Sequence, residues 1–157
     1  MMPSEASPLD PASWHKKAFY DQGAERRSPW HFKTFLLDDS TTVEFAPGKK
    51  TGVFRITFPK NKPRHLLFAT YGNAKNWWNF LNDSTVTGME TYKVDSGHHP
   101  IPVYIYGRYN QPATNGTLVG GKLTGKQEIG GTGVRAFSSF SEEGTGVIEF
   151  RYAVSFI

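Results

Sequence analysis

The chain has 157 residues, a length that fits one domain with a buried core. It contains no cysteine, which excludes disulfide bonds and thiolate metal sites. The formal net charge is +4, and the basic pairs are dispersed among acids, so no nucleic-acid-binding stripe is predicted. No apolar run approaches about 20 residues, so no transmembrane helix is predicted.

The N-terminal segment, residues 1–29, is rich in Pro, Ser and charged residues and is predicted to be irregular. Its first residues have neither the basic region nor the apolar core of a signal peptide, so we expect any export signal to lie outside this chain. A single β-sandwich domain is predicted to occupy residues 30–157.

Strands are predicted wherever polar and apolar residues alternate in the first half of the chain. Residues 51–58 (TGVFRITF) alternate with a period of two, which is typical of a half-buried strand. Turn-forming residues at 38–40 and 46–49, and a basic loop at 59–63, separate this strand from its neighbours. The strands predicted here are residues 30–37, 41–45, 51–58 and 64–71.

A long hairpin is predicted near the centre of a sheet. Two runs of β-forming residues, 85–94 and 101–109, flank the turn-rich sequence DSGHHP. In the second run the aliphatic residues alternate with tyrosines, so we expect an antiparallel strand with aromatic rings on one face.

The remaining segments are richer in turn-forming residues. Residues 72–83 (GNAKNWWNFLND) are predicted to form a loop with at most one helical turn, and residues 112–131 a flexible loop with one short strand at 118–119 or 122–124. Strands are predicted at residues 133–140 and 145–157. About eight to ten short strands without a helix indicate an all-β, antiparallel β-sandwich.

Trp77 and Trp78, flanked by Asn76 and Asn79, are the main candidate carbohydrate-binding residues. Aromatic rings pack against the CH faces of sugars, and amides form hydrogen bonds with sugar hydroxyls. The alternative interpretation is that one tryptophan anchors the segment on the core and leaves only the other available to a ligand.

His98 and His99, in the predicted turn, are candidates for hydrogen bonds to a sugar or to a neighbouring domain. Neighbouring side chains on an extended segment point apart, so no shared metal ion is predicted. The acids, among them Glu44, Glu90 and Glu149, are scattered over different elements. No catalytic residue is therefore predicted in this chain, and solvated carboxylates are the simpler interpretation.

Strand patterns recur in several blocks along the chain, namely Met2-Pro3, residues 19–37, 42–59 (TVEFAPGKKTGVFRITFP), Thr87-Gly88 with 102–111, and 147–157. Together these blocks resemble the N-terminal β-sandwich domain of glycoside hydrolase family 92, whose members are calcium-dependent, inverting, exo-acting α-mannosidases. The resemblance extends over most of the chain and consists of strand patterns. It departs from the family's pattern at residues 45–48, which replace a Thr-rich turn, and at His31 and Phe32, where a Tyr pair is common.

The resemblance implies a supersandwich-like, non-catalytic N-terminal domain of an α-mannosidase-like glycoside hydrolase. It implies that the catalytic carboxylates and the calcium ligands belong to a helical catalytic domain of the same polypeptide, so that no cofactor is expected in this chain. The sandwich would pack on that domain and contribute loops to the binding of a mannose-containing glycan, in a secreted or periplasmic enzyme. The apolar end of the chain, inside a strand pattern, also predicts that it was cut from a longer polypeptide.

Two other functions remain open. The first is that of a stand-alone carbohydrate-binding sandwich that uses Trp77 and Trp78, and the second is that of a mutarotase-like sandwich that acts on sugars. A nucleic-acid-binding protein is the weakest alternative, because the basic pairs are dispersed and because that function would require a concentrated positive surface.

Overall fold

The fold is a β-sandwich of two antiparallel sheets, seen in a computed structural model that describes residues 1–15, 17–70, 75–92 and 100–156. Apart from two short 3-10 helices, Pro11–Trp14 and Gln22–Ala24, its regular elements are strands. No helix in these described ranges is long and apolar enough to cross a membrane. The all-β sandwich predicted from the alternation patterns is confirmed.

Nine strands form the large sheet, in the order β12-β7-β8-β9-β14-β5-β4-β3-β2. The hairpin of β8 and β9 lies close to its centre, as predicted, and the last strand of the chain, β14, is inserted between β9 and β5. The strands of this sheet are β2 (Arg26–Ser28), β3 (His31–Leu36), β4 (Thr41–Pro47), β5 (Thr51–Thr57), β7 (Asn76–Asn82), β8 (Thr85–Tyr92), β9 (Ile101–Tyr109), β12 (Glu128–Gly131) and β14 (Val147–Phe156).

Five strands form the small sheet, in the order β1-β6-β13-β10-β11. Its central strand β13 pairs with β6 and β10, which come from distant parts of the sequence. The strands are β1 (Met2–Ser4), β6 (Arg64–Ala69), β10 (Thr114–Val119), β11 (Lys122–Leu123) and β13 (Arg135–Phe140).

The main core lies between the two sheets, and the alternation of each strand selects its members. From the large sheet it takes residues such as Ile56, Val86 and Phe150, and from the small sheet Leu66 and Phe68. The face of the large sheet that carries these residues is called the inner face below, and the opposite face the outer face. Every second residue of a strand therefore lies on the same face of the sheet.

A polar contact also joins the two layers. The buried hydroxyl of Tyr109 on β9 lies 2.7 Å from Oγ of Ser138 on β13, and that serine donates to Oδ1 of Asn115 at 2.6 Å. Burial raises the pKa of Tyr109, so the phenol stays protonated at neutral pH and remains a hydrogen-bonding group. The network satisfies polar atoms that packing has removed from water.

The N-terminal segment covers the other face of the small sheet. Trp14 is buried there against Leu67, Leu118 and Phe137, and its Nε1 donates to the carbonyl of Pro8 at 2.8 Å. The guanidinium of Arg135 lies 5.4 Å from the centre of the Trp14 ring. Residues 1–29, predicted to be irregular, therefore contain two edge strands, β1 in the small sheet and β2 in the large one, and their part around Trp14 packs on the small sheet. The division into a segment and a sandwich stays a prediction.

Residue Arg64 organises the loop between β13 and β14. Its side chain is fully buried, and its guanidinium donates to the carbonyl oxygens of Ser141, Glu142 and Glu143 at 2.7–2.8 Å. Three backbone carbonyls thus solvate a charge that is otherwise costly to bury. The loop depends for its position on a side chain about 78 residues earlier in the sequence.

Candidate functional site

The Trp/Asn segment is a strand rather than the predicted loop. Residues Asn76–Asn82 form β7, because they pair with β8 on one side and β12 on the other. Trp78 lies on the inner face, 5.1 Å from the ring of Phe68. Its Nε1 has no hydrogen-bond partner among the described residues. Trp78 is therefore part of the core.

The ring of Trp78 lies over the backbone of Gly88, directly opposite on β8. A Cβ at Gly88 would lie 2.6 Å from Cζ3 of Trp78, a distance shorter than any normal contact. The pair shows why a glycine occupies this position of a central strand: it leaves space for a large ring on the neighbouring strand.

The other three candidates of this segment are divided between the two faces. Asn76 is buried, and its Oδ1 accepts a hydrogen bond from the backbone N–H of Thr91 at 2.9 Å. Trp77 and Asn79 lie on the outer face and are partly exposed. The four residues therefore do not form one site. His98 and His99 lie outside the described residues, and carbohydrate binding by any of the six stays a prediction.

The outer face carries a ladder of charges in register across four strands. Lys33, Glu44, Arg55 and Glu149 are cross-strand neighbours on β3, β4, β5 and β14. Oε1 of Glu149 accepts from Nε and Nη2 of Arg55 at 3.1 and 2.8 Å, and Oε2 accepts from Arg151 at 3.0 Å. These hydrogen bonds from Arg55 and then Arg151 lower the pKa of Glu149. The carboxylate is thus occupied by two cations.

A groove of about 520 Å³ lies next to this ladder, on the outer face over β5, β14 and β9. Small residues such as Val53 and Ala153 line it together with Tyr106, Arg108 and Arg151. We call it the arginine groove. The alternation patterns of the sequence did not predict this groove, because only the register of β14 with β9 makes Arg108 and Arg151 neighbours.

The second surface is the part of the inner face that extends beyond the small sheet, called the apolar extension below. Three of its aromatic rings, Phe45, Phe54 and Tyr152, stack on one another with centroids 4.5–6.4 Å apart. Phe54, Ile105 and Tyr152 pack against the main core, so the extension continues it. In the part of the chain that the structure describes, none of its members is fully buried. They are Phe45, Phe54, Ile101, Val103, Ile105, Tyr152, Val154 and Phe156.

The acids of the described residues do not gather into a metal site. No group of three or more His, Cys, Asp or Glu side chains in the described ranges is arranged to hold an ion. Glu44 and Glu149 are separated by Arg55, which lies between them in the register. That arrangement suits an ion-paired surface, because a guanidinium lies between the two carboxyl groups where an inverting glycosidase would place its sugar.

Comparison with known proteins gives one matching family and several similar solved structures. The model of the glycosyl hydrolase family 92 N-terminal domain matches residues 2–155. No match was found among curated proteins.

The similar structures share the fold at low sequence identity. The inverting mannosidase BT2199 from Bacteroides thetaiotaomicron superposes with a TM-score of 0.78 at 17% identity, over 89% of this chain and 19% of that one. The α-mannosidase BT3965 from the same organism superposes with a TM-score of 0.78 at 20% identity, over 88% of this chain and 20% of that one. The family 92 glycosyl hydrolase ccman5 gives a TM-score of 0.76 at 19% identity, over 88% and 20%. The chain spans about one fifth of the length of these structures.

Proposed function

Because the chain belongs to the glycosyl hydrolase family 92 N-terminal domain family, we propose that it is the non-catalytic sandwich of an α-mannosidase-like glycoside hydrolase. It packs on a helical catalytic domain of the same polypeptide and contributes loops to the binding of a mannose-containing glycan. The similar structures described as mannosidases are about five times as long as the part they share with this chain, which supports a further domain beside the sandwich. The calcium site is assigned to that domain, and no residue described here is assigned to it.

The observation that carries the docking role is the apolar extension. Its rings and aliphatic side chains continue the core beyond the edge of the small sheet, and its outermost members, Ile101 and Phe156, are 43% and 56% exposed. A contiguous apolar surface of this kind is unfavourable in water and marks an interaction surface. We propose that the catalytic domain covers it, because burial of these side chains would supply the main free energy of docking.

The docking role is tested by placing charges on the extension in the complete polypeptide. In an Ile101→Asp/Phe156→Asp variant, docking would bury two carboxylates in an apolar contact, which is unfavourable. We expect the wild-type polypeptide to unfold in one calorimetric transition and the variant in two, with faster protease cleavage between the domains.

A matched control is a Val119→Asp/Leu123→Asp variant on the edge of the small sheet, where the two side chains are 61% and 56% exposed. This control should behave as the wild type does. Two variants with the same calorimetric trace would overturn the docking proposal.

The non-catalytic role is tested with the 157-residue chain alone and 4-nitrophenyl α-D-mannopyranoside as substrate. We expect no hydrolysis above the rate in buffer, with or without added calcium, because the catalytic carboxylates are assigned to the other domain and Arg55 lies between Glu44 and Glu149 in this one. Hydrolysis that disappears on replacement of one of the chain's own acids would overturn the proposal and return the search for catalytic residues to the sandwich.

The carbohydrate-binding alternative is supported by one position, the half-buried ring of Trp77 on the outer face. Binding of α-mannobiose to the isolated chain, lost in Trp77→Ala and kept in wild type, would favour a stand-alone sugar-binding module. Trp78→Ala is unsuitable for this purpose, because that ring is part of the core.

A further inference from the structure

The arginine groove brings together two positively charged side chains, an arrangement that does not stabilise the fold. Arg108 on β9 and Arg151 on β14 are direct cross-strand neighbours on the outer face. Like charges at directly opposite positions destabilise a sheet. Both residues line the groove of about 520 Å³, so they border one space.

The carboxylates nearby do not balance these charges. Glu149 is shared between Arg55 and Arg151, with hydrogen bonds of 2.8–3.1 Å. Arg108 makes no ion pair with any residue in the described ranges. Over the ladder and the groove together, four cations (Lys33, Arg55, Arg108 and Arg151) and the two carboxylates of Glu44 and Glu149 leave two positive charges, a surplus that favours an anion in the groove.

The chemistry of the two side chains limits the kinds of anion that the groove can bind. A guanidinium presents its N–H groups as a planar fork that matches the oxygens of a carboxylate, sulfate or phosphate group. Two forks on neighbouring strands, about 5 Å apart at the backbone, can bind the same oxyanion from two sides.

An aromatic ring lies beside the arginines. Tyr106 precedes Arg108 by two residues on β9, so it lies on the same face about 7 Å further along the strand. It lines the groove, and 48% of its surface is exposed. A ring at this distance from an oxyanion site suits the CH face of a sugar.

We infer that the arginine groove binds an acidic saccharide, with the oxyanion of the sugar between Arg108 and Arg151 and the sugar ring against Tyr106. The site lies on the outer face, opposite to the apolar extension, and it does not depend on the proposed docking role. A uronic acid and a sulfated or phosphorylated sugar share this chemistry, and the probes below separate the contribution of the anion from that of the ring.

The test is a titration of the isotopically labelled chain with D-glucuronate, D-glucose and acetate, followed by amide and arginine Nε chemical shifts. We expect saturable shifts around Tyr106, Arg108 and Arg151 with glucuronate, and at least tenfold weaker binding of glucose and of acetate. The affinity should fall as sodium chloride is added, because salt screens exposed charges.

The variants separate the two halves of the site. Arg108→Gln/Arg151→Gln should weaken glucuronate binding at least tenfold, and Tyr106→Ala should weaken it several-fold while leaving acetate unchanged. Arg26→Gln, an exposed arginine on β2 of the same sheet, is the control that should bind as the wild type does. Circular dichroism confirms that each variant is folded.

Each other result overturns the inference. Equal binding of acetate and glucuronate would leave an anion site without a sugar. Equal binding of glucose and glucuronate would show that the arginines do not recognise the carboxylate of the sugar. Glucuronate binding that the double variant retains, or the absence of binding up to the highest concentration used, would remove the site itself.

Discussion

At the scale of single residues, a few glycines leave space for large rings on neighbouring strands. Gly88 and Gly107 lie under the rings of Trp78 and Phe150, and Gly52 lies between those of Phe45 and Tyr152. A large ring can lie flat on a sheet only where its neighbour has no Cβ. The glycines of the central strands are therefore positions of packing, whereas those of the loops, such as Gly120 and Gly144, have positive φ and serve turns.

A first prediction follows from the Trp78–Gly88 pair. Gly88→Ala should lower the free energy of unfolding by about 1–3 kcal/mol, because the new methyl group would overlap with the indole ring. Gly130→Ala, on the strand that flanks β7 on its other side, is the matched control, since its Cβ would meet nothing closer than 3.6 Å. Urea denaturation of both variants measures the difference. An equal loss in the two would mean that the ring does not determine this position.

At the scale of elements, the two sheets have different coverings. The small sheet is covered on both faces, by the large sheet and by the N-terminal segment around Trp14. Among the described residues, those of the large sheet's inner face that pack between the two sheets are buried, whereas those of the apolar extension are only partly covered. Strands with similar sequence patterns therefore have different environments, depending on whether they belong to the small sheet or to the large sheet.

A second prediction concerns the N-terminal segment. Trp14→Ala should lower the free energy of unfolding by about 3–5 kcal/mol, because it removes a buried ring and leaves a cavity. Limited proteolysis should then cut the chain before residue 15, while Trp14→Phe, which keeps a buried aromatic ring but loses the hydrogen bond to Pro8, should be cut more slowly. If the two variants are cut at the same rate, packing of the ring does not hold this segment.

Alternation in the sequence is informative for strands whose two faces differ. In β5 and β9 one face meets the core and the other meets solvent, so the alternation is visible. In β7 asparagines at the first, fourth and last positions obscure the same alternation, although its burial pattern alternates in the structure. The asparagines indicated a loop, and tertiary pairing with β8 and β12 overrode that local preference.

The candidate site was less predictable, for a physical reason. Adjacent residues on a strand point to opposite faces, so Trp77 and Trp78 separate as soon as the segment is extended. Arg108 and Arg151 are far apart in the sequence, and they become neighbours only because β14 pairs with β9 in one particular register. A shift of one residue would move each side chain to the other face.

At the scale of the whole molecule, stability should depend on pH through His65. Burial lowers the pKa of this histidine, an effect that the charge of Glu142 opposes, and its Nδ1 lies 2.8 Å from Oγ of Ser139. The unfolded chain, with an ordinary histidine pKa of 6.5, therefore takes up a proton before the folded chain does. The stability that the neutral ring provides is complete above pH 6.5 and is lost as the pH falls below it.

The third prediction is that His65→Gln flattens this part of the pH profile. The amide keeps a hydrogen-bonding group near Ser139 but does not titrate. Free energies of unfolding at pH 7.5 and 5.5 should therefore differ less in the variant than in the wild type. The same difference in both proteins would assign the pH dependence to other groups.

The positions of the four tryptophans have a spectroscopic consequence. Trp78 lies in the core, Trp14 under the N-terminal segment beside Arg135, and Trp77 half-buried on the outer face, while Trp30 is 72% exposed. Iodide in solution should quench the fluorescence of Trp30 first and that of Trp78 last. Light emitted by the unmodified chain would thus report separately on its surface, its N-terminal covering and its core.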